Sequence, residues 1–333
     1  MGYYQIEYTA DAILRAINNI ENKTGMNLVI FPAADNVACV LDLLYDQFST
    51  KIHFSHASGR MSTLMDKAIM SSMANNAGLK TPRTFKLKTV DYMNNLPLSF
   101  PVIVKPLRSL DGRKSDIRVC STMGEYFSAA KAYLSAGYDS LLVQEYIHSL
   151  NTQEIGVTGI AYPNGKVEIH GYINKIRNLF HINNFGVYEP HIPIPCLNEL
   201  KSYISDTGYI GIFDTDFIKD DDFYFIECNF RNGAYGYCTT RAGFNMPKLF
   251  IDSWFNDPSA TVDNNLKRCF FMEERTDFLN IRAGHISFWK WVKDVMRTDV
   301  FLFWNLRDIR PYLRIPYFIK KYFVVKKRTK CEK

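Results

Sequence analysis

The sequence predicts a globular protein of the α+β or mixed α/β class, because of its composition and its alternation of strand and helix patterns. The chain has 333 residues, of which 47% are hydrophobic and 22% charged, so it can bury a large core. Apolar runs of strand length are separated by segments with helical periodicity. Two pairs of runs are joined by short polar turns, which favours sheets over a helical bundle.

The first 62 residues predict a small α/β module. Thr9 is expected to cap a helix that ends at Gly25, and a strand, a helix and a short strand follow up to residue 55. Further helices are predicted at 66–78 and 124–137. Strands are predicted at 99–106 (SFPVIVKP) and at 141–147 (LLVQEYI).

Two hairpins are predicted in the middle of the chain. The first covers 154–177 and turns at PNG, a common hairpin signal. The second covers 211–230 and turns between Lys219 and Asp222. Together with the preceding strands and helices, these hairpins favour an α+β or mixed α/β architecture over a helical bundle.

The last strand of the second hairpin, FYFIECNFRNG, carries polar residues where a core strand should be apolar. Side chains alternate along a strand, so Glu227, Asn229 and Arg231 are expected to share one face. The residues expected to point the opposite way are Ile226, Cys228 and Phe230. A carboxylate on a buried face needs a partner.

Counting outward from the turn places Asp216 opposite Glu227. Facing like charges are destabilising unless a cation lies between them. Carboxylate and amide oxygens suit Mg²⁺, so Asp216, Glu227 and Asn229 are candidate magnesium ligands. Arg231 could then bind a phosphoryl group. The alternative is an ordinary ion pair of Glu227 with Arg231 or a lysine.

Several basic residues lie at positions where a bound anion would offset the cost of their charge. Lys105 ends the apolar run PVIVKP, where an unpaired ammonium is costly. Lys67 stands at a helix start, and Lys175 and Arg177 close the first hairpin.

Residues 27–256 resemble the ATP-grasp superfamily, and within it carboxylate-amine ligases similar to D-aspartate ligase and D-alanine-D-alanine ligase. The resemblance rests on segments that occur in the family's order: NLVIFPAADNVACVL, DKAIMSSMANNAGLKTPRTF, FPVIVKP, LLVQEYI followed by EIGV, DTDF, FYFIECNFRNG and AGFNMPKLF. It implies an ATP-grasp fold, in which two α+β subdomains clasp ATP. The expected segments are a shortened N-terminal α/β module (1–62), the ATP-grasp domain (63–256) and a basic, aromatic C-terminal extension (257–333).

The resemblance also implies roles for single residues. Lys67 and Lys105 match the lysines that hold the ATP phosphates. The backbone of Glu145 and Ile147 matches the linker that binds the adenine edge. The other implied contacts are Gln144 with the adenine amino group, Glu154 with the ribose, Asp216, Glu227 and Asn229 with Mg²⁺ or Mn²⁺, and Arg231 with the transferred phosphoryl group.

The implied reaction is ATP-dependent amide formation from a small carboxylate and a small amine. The carboxylate attacks the γ-phosphate to give an acyl phosphate and ADP, and the amine then displaces phosphate. Either Lys175 or Arg177 is expected to add positive charge at the reacting groups. Modification of cell-surface polysaccharide or cell-wall precursors is one hypothesis for the pathway.

Two features depart from the family pattern. The phosphate-covering loop is usually glycine-rich, whereas RSLDGRKSDIR has only Gly112 and could instead use Arg108, Arg113 or Lys114. The N-terminal module is short, so another chain could complete the substrate pocket in a homo-oligomer. A non-catalytic ATP-binding subunit is therefore an alternative.

The positive charge is concentrated in the tail. The net charge is +6, and residues 300–333 carry ten Lys or Arg and two acidic residues, or +8. The tail's apolar runs are too short to span a bilayer, so it either lies on an anionic membrane surface or packs on the protein. No nucleic-acid motif occurs. Scattered cysteines and the lack of a signal pattern predict a cytoplasmic protein, with peripheral membrane contact as one option.

Overall fold

The computed structural model describes residues 5–7, 9–88, 96–107, 117–149, 152–179, 182–255, 261–263 and 265–304. Within these residues it contains three sheets of two, four and eight strands, with helices packed between and around them. This architecture confirms the predicted mixture of α and β structure. No helix in the described ranges combines the length and apolar character that a membrane crossing requires.

The N-terminal module is a two-stranded parallel sheet with two helices and a 3₁₀ turn at Tyr45–Gln47. Its elements are α1 (Ala10–Thr24), β1 (Leu28–Ile30), α2 (Asp35–Leu43) and β2 (Ile52–Phe54). The predicted ends of α1 are confirmed. Thr9 accepts a hydrogen bond from the Ala12 N–H, and Gly25 takes the left-handed conformation that ends the helix.

The four-stranded sheet is antiparallel and has the order β3-β6-β4-β5. The elements of this region are α3 (Met61–Leu64), α4 (Lys67–Asn76), β3 (Thr84–Lys88), β4 (Val102–Pro106), β5 (Arg118–Cys120), α5 (Met123–Ser135) and β6 (Ser140–Glu145). Helix α5 covers one face of the sheet, because its Tyr126 and Tyr133 are buried against Val102 and Val104.

The eight-stranded sheet has the order β12-β11-β7-β9-β10-β13-β14, with β8 paired to β7. Its strands are β7 (Gln153–Ala161), β8 (Val167–Ile169), β9 (Tyr172–Leu179), β10 (Ile182–Glu189), β11 (Gly211–Lys219), β12 (Phe223–Asn229), β13 (Cys269–Met272) and β14 (Val300–Phe301). The accompanying helices are α6 (Leu197–Thr207), α7 (Gly236–Arg241), α8 (Met246–Trp254), α9 (Glu274–Asp277), α10 (Leu279–Arg282) and α11 (Phe288–Met296). Both predicted hairpins are confirmed as β7–β8 and β11–β12.

A bulge in β12 decides which side chains reach the core. Asp216 is opposite Glu227, whereas the next residue, Phe217, is opposite Phe225, so Ile226 is an extra residue. The bulge shifts the alternation of the strand. The β12 and adjacent side chains that join the core are therefore Phe223, Phe225, Cys228 and Phe230. The prediction that Ile226 shares a face with Cys228 is wrong, because the extra residue interrupts the alternation; Ile226 is half-buried, whereas Cys228 is buried.

The large sheet continues beyond residue 256, where the sequence analysis placed the start of a C-terminal extension. Strand β13 pairs with β10, and β14 pairs with β13. The described part of that segment is thus built into the large sheet. Residues 305–333, which carry the charged end of the predicted tail, lie outside the described residues.

A buried arginine ties the C-terminal helices to this sheet. The guanidinium of Arg177, on β9, donates to both oxygens of Asp277 at 2.9 and 2.7 Å and also to Asp294. All three residues are buried, and the guanidinium lies 4.3 Å from the ring centroid of Phe185. Arg297 also pairs with Asp294, at 2.8 Å. This network joins α9 and α11 to β9.

We expect Arg177→Ala to lower the free energy of unfolding by about 3–5 kcal/mol, because it leaves two buried carboxylates without their main partner. Arg83→Ala is the control, since Arg83 pairs with Glu145 at the surface and should cost at most about 1 kcal/mol. Urea unfolding measures both changes. Similar costs for the two variants would contradict the buried-network interpretation.

Candidate functional site

Strands β11 and β12 place acidic side chains opposite one another, as the sequence analysis predicts. Asp216 is in register with Glu227, and Asp214 with Asn229. Because side chains two residues apart share a face, all four lie on the same side of the hairpin. Side chains of Asp216 and Glu227 are about one quarter exposed, at 25% and 22%, so the site is only partly open to solvent.

Lys175 balances one of these acids. Its ammonium donates to Asp216 at 2.5 Å, and its side chain is only 9% exposed. Burial opposes the charged form, but the nearby Tyr235 and the carboxylates of Asp216 and Asp214 outweigh it. They hold the pKa of Lys175 well above its ordinary value. Lys175 therefore stays charged at neutral pH.

Two lysines from the other side of the site approach Glu227. Lys67, the first residue of α4, forms an ion pair with Glu227 at 3.2 Å. Lys105, on β4 of the four-stranded sheet, is buried and donates to Gln144 at 2.9 Å. Burial, together with the neighbouring charge of Lys67, lowers the pKa of Lys105 to about 8, although Glu227 partly offsets this. Cations from both larger sheets and from α4 thus converge on the acidic face.

Asp214 is a site residue that the sequence analysis missed. It is 4% exposed, and its Oδ1 has no hydrogen-bond partner among the described residues. Burial, and then the charge of Asp216, raises the pKa of Asp214 above its ordinary value. The signal was present in the sequence, because the spacing in DTDF puts Asp214 on the same face as Asp216.

Arg231 joins the site to the N-terminal module. Its Nε donates to Oδ1 of Asp35 at 2.5 Å, and its Nη2 lies 3.5 Å from Oδ2. Asp35 is the first residue of α2 and stands 196 positions earlier in the chain. No local pattern predicted this contact, since only the tertiary fold brings the two residues together.

The predicted adenine-binding segment lies between β6 of the four-stranded sheet and β7 of the eight-stranded sheet. Gln144 is 3% exposed, and its amide is occupied by Lys105 and by Thr84, at 3.0 Å. The implied contact of this side chain with adenine does not fit that arrangement. Glu145 gives its N–H to the Arg83 carbonyl. Glu154 is exposed near the start of β7, and Ile147 is half-buried.

Two further expectations concern the basic residues of the first hairpin and the phosphate-covering loop. Of the alternatives Lys175 and Arg177, only Lys175 contacts the acidic face, since the guanidinium of Arg177 is held by Asp277 and Asp294. The phosphate-covering loop, with Arg108, Arg113 and Lys114, falls within 108–116 and lies outside the described residues.

The donor set on the acidic face fits a hard divalent cation. Two facing carboxylates and an amide supply oxygen ligands, and Mg²⁺ usually completes such a set with water and phosphate oxygens. Oδ1 of Asp214, which has no hydrogen-bond partner among the described residues, is a further oxygen on this face. In the described ranges, no three His, Cys, Asp or Glu side chains are arranged as a ready metal cage.

Gly233→Ala should cost about 1–3 kcal/mol of unfolding free energy, because the added methyl would lie 2.5 Å from Oδ2 of Asp214. Gly124→Ala is the control, since its nearest neighbour atom is 4.0 Å away. The cost of Gly233→Ala should largely disappear in an Asp214→Ala background. Equal costs in both backgrounds, measured by urea unfolding, would show that the two residues do not interact.

No protein-family model and no curated protein matches the chain. Solved structures do. The biotin carboxylase domain of 2-oxoglutarate carboxylase from Hydrogenobacter thermophilus, crystallised with magnesium ADP, ADP and bicarbonate, aligns with a TM-score of 0.63 at 19% identity over 80% of this chain. L-amino acid ligase from Bacillus licheniformis aligns with a TM-score of 0.58 at 16% identity over 79% of the chain.

A third similar structure is N5-carboxyaminoimidazole synthetase from Staphylococcus aureus, with a TM-score of 0.59 at 17% identity. It is matched over 82% of this chain and 71% of its own length. The chain spans only 63% of the biotin carboxylase domain and 66% of the amino acid ligase. At these identities the similarity concerns the fold alone. The chain has the ATP-grasp fold.

Proposed function

We propose that this protein is an ATP-dependent carboxylate-amine ligase that binds Mg-ATP at the acidic face of β11 and β12. The observation that carries the proposal is the meeting of Lys67 and Lys175 with the facing pair Glu227 and Asp216. Such a set can hold the phosphates of a nucleotide together with its metal ion. The fold supports the proposal, since the similar biotin carboxylase domain was crystallised with magnesium ADP.

The two lysines near Glu227 are proposed to bind ATP phosphates. Lys67 pairs with a partly exposed carboxylate, so it can move from Glu227 to an incoming anion. Lys105 is held in place by Gln144, and its lowered pKa reflects the lack of a nearby anion strong enough to offset burial. A bound phosphate would supply that anion. In this proposal Gln144 orients Lys105 and does not bind adenine.

Asp216, Glu227 and Asn229 are proposed to hold Mg²⁺, or Mn²⁺ in its place. When bound, the ion would neutralise charge on the phosphate groups. Its binding would also release Lys67 and Lys175 from their carboxylates, which makes both ammonium groups available to phosphate oxygens. The backbone of Glu145 and Ile147 would take the adenine end of the nucleotide.

Arg231 and Lys175 are proposed to serve the reacting groups. A substrate carboxylate attacks the γ-phosphate, ADP leaves, and an amine then displaces phosphate from the acyl phosphate. Positioning and charge stabilisation provide most of the catalysis in such transfers. Arg231 already binds a carboxylate, that of Asp35, so its guanidinium must share or exchange this partner to contact a phosphoryl group. In this proposal, Glu154 would hold the ribose hydroxyls.

A non-catalytic nucleotide-binding subunit is the alternative. The glycine-poor phosphate-covering loop and the short N-terminal module are the features that allow this alternative. The intact set of acids and lysines favours the ligase.

The ligase predicts ADP formation that depends on an added carboxylate, and trapping of the acyl phosphate as a hydroxamate when hydroxylamine replaces the amine. Lys67→Met should reduce this turnover about 100-fold or more, because it removes a charge on the transferred phosphates. Lys131→Met, at an exposed position on α5, should leave it unchanged. Nucleotide binding without turnover across a broad screen of carboxylates would instead support the non-catalytic subunit.

Mg-ATP affinity should fall as the pH rises above about 8. The side chain of Lys105 is a charged ammonium below this pH and a neutral amine above it. The amine must take up a proton before it can bind phosphate, and this weakens binding at high pH. Lys105→Arg keeps its charge and should flatten the profile. Titration calorimetry from pH 7 to about 9.5 measures the Mg-ATP affinity of the two proteins. Lys67 and Glu227, the charged groups that face Lys105, are present in both, so their effect cancels in the comparison. Parallel profiles would rule out Lys105 as the group responsible.

A further inference from the structure

Helix α11 presents a surface that the proposed reaction does not use. Its Trp289 and Met296 are 78% and 77% exposed, and Phe288 beside them is 50% exposed. Residues four and seven positions apart share a helix face, so Lys293 stands between Trp289 and Met296, and Lys290 lies alongside. We call Phe288, Trp289, Lys290, Lys293 and Met296 the α11 surface.

The outward direction of this surface is fixed by buried contacts on the opposite side of the helix. Asp294 is 2% exposed and is bound by both Arg177 and Arg297. Trp291 also faces inward, with its ring 5.4 Å from that of Phe278. Turning the apolar stripe into the protein would break the buried ion pair. The exposure of Trp289 and Met296 is therefore enforced by the fold.

The charge around the α11 surface is positive. From Arg282 to Asp299 the chain carries four exposed Lys or Arg and two acidic residues, the buried Asp294 and the exposed Asp299. The chain that follows, from residue 300 onward, adds ten Lys or Arg and only two acidic residues. The surface and the segment next to it in sequence thus carry the same sign.

We infer that the α11 surface docks on an anionic lipid bilayer. Tryptophan and phenylalanine favour the boundary between head groups and acyl chains, and a flat surface of anionic head groups attracts the flanking lysines. Lysine stems can lie along the apolar side chains while their ammonium groups reach lipid phosphates. A polyanion such as nucleic acid would satisfy the lysines but would leave Met296 and Phe288 in water, which favours the bilayer. The inference does not depend on the ligase activity.

Co-sedimentation of the full chain with vesicles tests this docking. The parent should bind phosphatidylcholine vesicles that contain phosphatidylserine, bind pure phosphatidylcholine much more weakly, and lose affinity as salt is added. Trp289→Ser with Met296→Ser should weaken binding about tenfold or more. The matched control is Met26→Ser with Leu43→Ser, two side chains of the N-terminal module that are 66% and 71% exposed. It should bind like the parent, and circular dichroism checks that both variants are folded.

Tryptophan fluorescence provides a readout specific to α11. Vesicles should shift the parent emission to shorter wavelength, and Trp289→Phe should remove most of that shift while it retains binding. The inference is overturned if the parent does not bind, if it binds neutral vesicles equally well, or if the double variant binds as tightly as the parent. It is also overturned if the parent does not bind vesicles but self-associates or binds nucleic acid, and the double variant loses that binding. A second copy of the chain or a polyanion would then cover the surface.

Discussion

The facing carboxylates of Asp216 and Glu227 impose the main constraint on this structure. Two acids in register on neighbouring strands repel each other, and their partial burial strengthens the repulsion. Each acid forms an ion pair with one lysine: Asp216 with Lys175 from β9, and Glu227 with Lys67 from α4. Because those lysines come from different parts of the fold, the acidic pair helps to determine how the elements meet. In the proposed function, a metal ion would replace these internal cations, and the lysines would then bind the phosphates of the nucleotide.

Two arginines connect the N-terminal and C-terminal segments to the rest of the fold. Arg231 holds Asp35 of the N-terminal module, and Arg177 holds Asp277 and Asp294 of the C-terminal segment. The first contact lies at the edge of the candidate site and is half-buried, so a ligand can compete for it. The second is fully buried and serves to orient α11. Both contacts are arginine–carboxylate ion pairs. The half-buried pair of Arg231 lies at the candidate site, and the buried pairs of Arg177 hold two parts of the fold together.

Much of this arrangement could be predicted from the sequence. Alternation and turn signals were enough to place Asp216 opposite Glu227, and the cap residue Thr9 and Gly25 predicted the ends of α1. The bulge at Ile226 was not predicted, because counting outward from the turn assumes an unbroken alternation, whereas the register shifts between Asp216 and Phe217. The contacts of Arg177 and Arg231 bridge 100 residues or more, and no local pattern encodes such partners. The spacing of Asp214 from Asp216 was enough to predict that both lie on one face, but the sequence analysis did not include Asp214.

The central claim is that the acidic pair exists to receive a metal-bound nucleotide, with the lysines as temporary partners. The most direct measurement is ATP affinity with and without Mg²⁺ for the parent and for Glu227→Gln. The account predicts that Mg²⁺ strengthens ATP binding by the parent and that this gain is largely lost in Glu227→Gln. If Mg²⁺ strengthens ATP binding equally in both proteins, or if the parent does not bind the nucleotide, the acidic pair does not have this role.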